Sequence, residues 1–401
     1  MQAVDVVVVG AGPAGVAAAA TLARGGREVL VVDRAVFPRD KCCGDGLTTA
    51  ALRELERLGF VPDLPSWRVV DDVVVRSPSG REVVFPLPRG RGTFAAVVPR
   101  FELDAALVDV ARAAGAKVAD GHAFTAMDVG DDRVVVDVDG IGAVAARYAV
   151  AADGMWSPVR KALGVAPEGY LGEWHAFRQY FRSVTGPGAR ALAVWFEPDL
   201  LPGYAWSFPL PDGRANVGFG IQRGGKVATQ AMKELWPDLL ERPHVRTFLG
   251  AGAEPEAPHK AWPIPARIES ATLVAGRGRV LLVGDAASAT DPMTGEGIGQ
   301  ALLTGRLAGE AIIAAGATGA GAVYERAARR ELVADAAMSR LLIRALRHRK
   351  GARAAVRVAG LTPWTRRNFA RWLFEDYPRA IVCTPGRWPE HSLRGDGAFA
   401  K

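Results

Sequence analysis

The chain opens with an apolar run, Val4–Val9, that breaks at Gly10 and resumes as an alanine-rich segment after Gly15. A second apolar run, Val29–Val32, then closes on Asp33. Unbroken apolar runs of this length predict buried strands, and Ala17–Ala20 with Ala23 predict a slim helix between them. The residues joining strand to helix are Gly10-Ala11-Gly12-Pro13-Ala14-Gly15. Gly10 lets the chain turn tightly, Gly12 leaves room for phosphates to approach the backbone, and Gly15 lets the helix pack on the sheet. The free N–H groups and dipole of the helix start favour a pyrophosphate there. Asp33, roughly 20 residues past the glycines, can grip an adenosine ribose. Strand, turn, helix and acid together predict a dinucleotide-binding unit. Arg34 suggests a 2′-phosphate, but Asp33 before it would repel one, so FAD or NAD(H) fits this slot better than NADP(H).

Farther along, Thr48 to Leu58 predicts a helix with Leu52, Leu55 and Leu58 on one face and Gly59 as its stop. Pro62 and Pro65 mark a linker. Val69–Val75 and Arg81–Phe85 flank Ser77-Pro78-Ser79-Gly80 and read as a hairpin. A helix from Arg100 to Ala113, a strand at Lys117–Ala119 and a meander over Asp128–Val138 and Ala143–Ala151 follow, ending on Asp153-Gly154. The stretch Glu173–Ile221 is β-like, Val280–Val283 is a short buried strand, and Gly295–Ala315 is a long helix. From there to about Phe374 the pattern is helical, and the Gly-rich tail is expected to be mobile. No internal repeat is found.

At 401 residues, 49% hydrophobic and 23% charged, the chain can bury a large core and form two domains rather than one. No signal peptide precedes the first strand, and no run of about 18 apolar residues appears. Three cysteines, Cys42, Cys43 and Cys383, make no disulfide framework, and no metal-ligand set is read. A cytoplasmic protein is therefore expected, with any membrane contact peripheral and on the inner face. The net charge of +7 is unevenly placed. Arg340, Arg344, Arg347, His348, Arg349, Lys350, Arg353 and Arg357 crowd one stretch, and Arg366, Arg367 and Arg371 follow among Trp364, Phe369, Trp372, Leu373 and Phe374. This basic C-terminal region is either a face for an anionic membrane or a solvated helix surface whose aromatics pack on the body. No nucleic-acid motif accompanies it.

Two later motifs stand at strand ends. One is Ala152-Asp153-Gly154-Met155-Trp156-Ser157-Pro158-Val159-Arg160. The other is Val283-Gly284-Asp285-Ala286-Ala287, followed by Asp291-Pro292-Met293-Thr294-Gly295-Glu296-Gly297-Ile298-Gly299. Asp285 can accept hydrogen bonds from ribityl hydroxyls. The glycine-lined helix start presents N–H groups toward the pyrimidine end of a flavin, where negative charge gathers on reduction. In this order after the N-terminal turn, the motifs resemble the FAD-containing family of the aromatic hydroxylases and geranylgeranyl reductases, across nearly the whole chain. The resemblance implies that Asp33 binds the ribose, Asp285 the ribityl chain, and that Arg100 lies along FAD. Asp153 would sit between the cofactor and nicotinamide routes. The cofactor-binding set is then Gly10, Gly12, Pro13, Ala14, Gly15, Asp33, Arg34, Cys43, Gly44, Arg100, Asp153, Gly284, Asp285, Pro292, Gly295, Gly297 and Ile298.

Two features select a branch of that family. Phe37-Pro38-Arg39-Asp40-Lys41-Cys42-Cys43-Gly44-Asp45-Gly46 resembles the cysteine-glycine loop of geranylgeranyl and menaquinone reductases, with Cys43 at the family cysteine. Tyr204, Trp206 and Phe208 alternate along Gly203-Tyr204-Ala205-Trp206-Ser207-Phe208-Pro209 and would share one strand face. They match the Tyr-x-Trp-x-Phe-Pro signature of prenyl reductases, where aromatics line an isoprenoid tunnel. Halogenases of the same fold relay hypohalous acid through a lysine, and no lysine lies between Lys41 and Lys117.

The expected fold is α/β. It has a discontinuous Rossmann-like FAD-binding domain (1–66, 93–165 and 270–320), a β-rich substrate domain (67–92 and 166–269) and a C-terminal helical region with its tail (321–401). The expected activity is FAD-dependent saturation of C=C bonds in a polyprenyl chain, a geranylgeranyl lipid or an isoprenoid quinone tail. Cys43, Tyr204, Trp206 and Phe208 are the catalytic candidates. No second glycine fingerprint is found, so electrons come from NAD(P)H at a shallow site or from another external donor such as an electron carrier. The alternative is an FAD monooxygenase that hydroxylates or epoxidises an aromatic or polyketide-like molecule.

Overall fold

The computed structural model describes residues 2–316, 318–387 and 395–400. The opening strand Gln2–Val9 lies between Val29–Asp33 and Gly142–Ala151, parallel to both, with Val6 opposite Val29 and Val9 opposite Ala151. Val280–Leu282 extends the parallel set on one side and Lys117–Asp120 on the other. Gln2–Val9, Val29–Asp33, Gly142–Ala151 and Val280–Leu282 are largely buried and carry the apolar runs of the sequence, whereas Lys117–Asp120 at the edge is only partly buried. Phe124–Val129 and Val134–Val138 join them antiparallel. Helices Pro13–Arg24 and Ile298–Ala315 lie against each other, and glycine makes that approach possible. A Cβ at Gly305 would stand 2.0 Å from the Ala14 carbonyl oxygen, and one at Gly309 2.9 Å from Thr21 Cβ.

A second sheet runs Glu254–Pro255, Trp174–Arg182, Arg214–Gln222, Tyr204–Leu210, Leu192–Trp195, Asp72–Arg76 and Glu82–Pro86, with Lys260–Ile264 also on Trp174–Arg182. All neighbours are antiparallel except Leu192–Trp195 beside Asp72–Arg76. One face of this sheet is sealed by helices Met232–Glu241 and Pro243–Leu249, where Trp236 stacks on Phe219 at 5.8 Å. Helices Ala320–Leu346, Arg349–Ala359 and Pro363–Leu373 follow, and Phe369 packs on Phe85 at 4.9 Å.

Three expectations need correction. The run Val69–Val75 is not one strand: Arg68–Val69 pairs with Ala96–Val97 in a small separate sheet, and only Asp72–Arg76 pairs with Glu82–Pro86. Period-2 patterning carries no information about the partner, so it missed the change of sheet between them. The run Asp128–Val138 is likewise two strands, parted at Gly130–Arg133. The tail is not free where it is described. Ala398 exchanges two backbone hydrogen bonds with Thr93, at 2.7 and 3.0 Å, and Gly397 donates to the Arg91 carbonyl. The rest of the Gly-rich tail, 388–394 and 401, lies outside the described residues.

Gly305→Val drives a branched side chain into the Ala14 backbone. Overpacking of this kind costs about 1–3 kcal/mol, so a thermal melt followed by circular dichroism should move down by several degrees. An unchanged melt would show that the two helices can slide apart freely.

Candidate active site

Four parallel strands end at one edge of the first sheet, and their exits, Gly10, Asp33, Asp153 and Asp285, line a single cavity of about 1190 Å³. That exceeds the roughly 300–1,000 Å³ typical of small-ligand pockets, so there is room for a dinucleotide and a second molecule. The glycines at its entrance differ in purpose. Gly10 has φ +103° and a Cβ there would meet the Ala152 carbonyl oxygen at 2.4 Å; one at Gly15 would meet the Gly10 carbonyl oxygen at 1.8 Å. These two are demanded by the fold. At Gly12 only the Arg39 guanidinium comes within 4 Å, at 3.6 Å, so the space above it is kept open for something else.

Charged groups surround that space. Asp33 accepts from the Ala11 N–H at 2.7 Å and the Ala35 N–H at 2.9 Å, which ties the acid to the turn. Arg100, buried, donates twice to Asp104, at 2.6 and 2.8 Å, and Arg39 reaches the same carboxylate at 2.9 Å. Two guanidinium groups thus share one buried carboxylate. Asp153 accepts from the Val159 N–H at 2.9 Å through one oxygen, while its other oxygen is buried without a partner. Asp285 accepts from Thr290 at 3.3 Å and otherwise faces the cavity. An open glycine turn at a helix start, the Arg39 and Arg100 guanidinium groups on the lining and an orphaned carboxylate oxygen fit the pyrophosphate and hydroxyl groups of FAD.

The loop 39–46 crosses the middle of the cavity and is knotted to the second sheet through Asp45. This residue is fully buried at φ +66°. Its carboxylate accepts from Tyr180 Oη at 2.6 Å and Asn216 Nδ2 at 2.8 Å. Asn216 also holds the Cys43 carbonyl at 2.8 Å and accepts from Trp206 Nε1 at 3.1 Å. Burial raises Asp45 to about 6 in spite of those donors. At the loop's other end Asp40 takes Arg178 at 2.8 Å, and also Lys260. Burial pushes the Cys43 thiol up to about 11, so it is protonated at neutral pH, with Arg100 and the Asp45 N–H directed at its sulfur. Lys41 places Nζ 3.4 Å from the centre of the Trp262 ring, and burial lowers it to about 8.

Tyr204, Trp206 and Phe208 share one face of their strand and stand 6.1 Å apart ring to ring, all on the cavity. The cysteine loop lies against them. A Cβ at Gly46 would come within 2.9 Å of the Phe208 ring, and one at Gly44 within 3.6 Å of Trp206 Nε1. Tyr204 Oη donates to the Thr294 carbonyl, and burial pushes its pKa upward. Trp174 and Trp262 continue the wall, and Leu342, Leu346, Phe369 and Trp372 of the C-terminal helices close it.

Of the residues expected at the site, all line the cavity except Gly15 and Pro292, which are buried beside it. Sequence reasoning missed Asp45, Tyr180, Asn216, Arg178 and Trp262 as a unit. Asp45 carried a signal, an acid between two glycines beside the cysteines. The others arrive from strands more than 100 residues away and carried none.

Residues 3–321 match the FAD binding domain family. The chain is 38% identical over 335 residues to a menaquinone reductase of Mycolicibacterium smegmatis, covering 78% of this chain and 77% of that protein. It is 36% identical over 323 residues to digeranylgeranylglycerophospholipid reductase 1 of Methanopyrus kandleri, covering 78% and 80%. Among solved structures, a geranylgeranyl bacteriochlorophyll reductase-like protein of Thermoplasma acidophilum superposes with a TM-score of 0.80 at 20% identity, over 96% of this chain and 99% of that one. The flavin-dependent brominase Bmp2 superposes with a TM-score of 0.76 at 19% identity, over 96% and 98%. At these identities the two superpositions establish a common fold.

Gly12→Val tests the open space directly. The side chain has room in the folded protein, so the variant should melt as the wild type does yet purify without yellow cofactor. Full flavin content in that variant would show that nothing approaches the backbone at Gly12.

Proposed function

The chain belongs to the FAD-binding domain family, and from that premise we propose that it is an FAD-dependent oxidoreductase that saturates C=C bonds in a polyprenyl chain, the tail of an isoprenoid quinone or a geranylgeranyl lipid. The observation that carries this reading is the continuity of one cavity. An anion-binding glycine turn stands at one end and a wall of aromatic rings at the other, with the cysteine loop between.

In this reading Gly10, Gly12, Pro13 and Ala14 hold the pyrophosphate, Asp33 and Arg34 the adenosine end, and Arg100 and Asp153 the middle. Gly284 and Asp285 take the ribityl chain, while Gly295, Gly297 and Ile298 present N–H groups to the pyrimidine edge. FAD, once reduced by NAD(P)H or another external donor, supplies the hydride for one alkene carbon. An isolated alkene is a poor electrophile, so the chain's own residues must orient it closely. Tyr204, Trp206 and Phe208 do this with flat apolar faces. Burying a CH₂ yields about 0.8 kcal/mol, so each five-carbon isoprene unit gains about 4 kcal/mol from the wall alone. In this reading the proton for the other alkene carbon is held on Cys43 Sγ, which burial keeps protonated and which lines the cavity. Tyr204 is less suited to that task because its hydroxyl is committed to Thr294.

The substrate reaches the cavity across the C-terminal helices. Their inner residues line it, while their outer faces expose Leu341, Val358, Leu361 and Trp364 among arginines. Between Met338 and Phe374 there is no Asp or Glu. Among the described residues no helix is long and apolar enough to cross a membrane. Peripheral attachment to an anionic leaflet fits this surface.

Under nitrogen, dithionite-reduced holoenzyme given menaquinone or a digeranylgeranyl lipid should lose its electrons to the lipid and yield a product heavier by two hydrogens. Trp206→Ala should keep its flavin but lose about tenfold or more in kcat/KM, which corresponds to about 1.4 kcal/mol or more of transition-state stabilisation. Turnover only after oxygen is admitted, with oxygen in the product, would replace this reading by monooxygenation. Separately, the protein should sediment with vesicles containing anionic phospholipid and not with zwitterionic ones. Neutralising Arg353 and Arg357 to Gln should weaken that binding about thirtyfold, since each basic residue near the surface contributes about 1 kcal/mol; equal binding to both vesicle types would remove the membrane assignment.

A further inference from the structure

Behind the Gly295–Gly297 turn, away from the large cavity, lies a second one of about 210 Å³. Its lining includes Gln300, Glu375, Tyr377 and Arg379, and it reaches the surface at the exposed side chain of Arg57. Gln300 Oε1, Tyr377 Oη and Arg379 Nε, all on this lining, are buried with no hydrogen-bond partner. Tyr377 is 4% exposed and Arg379 3%, so water at the surface does not serve them. A buried polar atom left unpaired costs about 1–3 kcal/mol, and a polar space this size holds several waters at about 30 Å³ each. The small cavity is therefore built to be wet.

Three carboxyl groups, Asp291, Glu296 and Glu375, stand between it and the large cavity, faced by one cation. Arg379 lies 3.3 Å from Glu375 and 4.0 Å from Asp291. Asp291 accepts from the Met293 and Thr294 N–H groups, from Thr294 Oγ1 at 2.8 Å and from Ser339 Oγ at 2.7 Å. Glu375 accepts from Gln300 Nε2 at 3.1 Å and Thr48 Oγ1 at 3.3 Å, with the Arg53–Asp376–Arg371 pairs beyond it. Glu296 accepts from the Gly299 N–H at 2.8 Å. Cys43 and Tyr204 line the large cavity with Glu296, both pushed up mainly by burial and further by neighbouring carboxylates. With three acids and one guanidinium, burial and mutual repulsion hold Glu296 and Glu375 above the usual carboxylate range, so protons are retained there near neutral pH. Glu296 lines the large cavity, Glu375 the small one, and each feels the other's charge.

We propose that the small cavity and the pair Glu375–Glu296 form the proton inlet of the flavin site. This rests on FAD occupying the large cavity. With FAD bound there and given two electrons by an external reductant, Glu296 would pass its carboxyl proton to the reduced cofactor beside the Gly295–Gly297 turn, its O–H bond breaking as the new bond to hydrogen forms and leaving Glu296 a carboxylate. Glu296 then takes the proton of Glu375, which is recharged from water in the small cavity. One proton has entered from solvent for each one used, and no other redox partner is required.

The test reads protons rather than lipid. Holoenzyme is photoreduced in weak buffer, with flavin absorbance and a pH indicator followed together. In the wild type, proton uptake should keep pace with reduction. In Glu296→Gln and in Glu375→Gln, flavin content should be retained while proton uptake lags by about tenfold or more, the lower range for loss of a positioned proton donor. Glu375 lies away from the large cavity, so its variant stays informative even if Glu296→Gln loses cofactor. Proton uptake at the wild-type rate in Glu375→Gln would overturn the inlet. Absence of flavin from the wild type would instead overturn the cofactor reading, and failure to reduce a polyprenyl lipid would leave the proton measurement unaffected.

Discussion

A single buried carboxylate holds the site together. Asp45 belongs to the cysteine loop, yet its partners Tyr180 and Asn216 stand on the second sheet, and Asn216 in turn grips the Cys43 carbonyl and Trp206. Without that knot, the loop would be tied to the second sheet only near its start, where Asp40 meets Arg178 and Lys260 and Lys41 lies over Trp262. Isolated burial of a charge is strongly unfavourable, and the two donors offset it only at one geometry. The loop's path, the indole's orientation and the distance between the two sheets are consequently set together.

That linkage explains how two layers of different origin make one cavity. The parallel sheet contributes strand ends that carry glycine or acid, which suits phosphate and hydroxyl groups. The antiparallel sheet contributes alternating rings, which suit hydrocarbon. Each layer packs helices on its other face, and the C-terminal helices roof over the cavity between them with Phe369 and Trp372. The roof is amphipathic in a literal sense: hydrocarbon inward, arginine and scattered apolar side chains outward.

How much of this was legible depended on whether the cause was local. The strand–turn–helix at residues 4–24 was, because steric need at Gly10 and Gly15 and apolar runs on either side are all contained in one short segment. The helix Arg100–Ala113 was, down to its ends. The aromatic alternation at Tyr204, Trp206 and Phe208 was readable as a face, though only the structure says that the face borders a cavity. What escaped were relations between distant segments. Nothing near Asn216 announces Asp45, nothing near Val69 announces Ala96, and the docking of Ala398 on Thr93 was masked by glycines that suggest looseness. Of the two readings of the basic C-terminal stretch, packing of its aromatics on the body is seen at Phe369, against Phe85, and at Trp372, on the cavity.

The pairing of Ala398 with Thr93 has a bearing on how the molecule comes into being. The strand ends and glycine turns that line the cavity all come before residue 302, whereas the roof over its apolar side comes from 342 onward and is followed by the pairing of Ala398 with Thr93. A chain emerging from the ribosome therefore completes its coenzyme cleft while the greasy half still gapes. Loading of the coenzyme can precede closure, and a segment made after the cleft becomes the clasp.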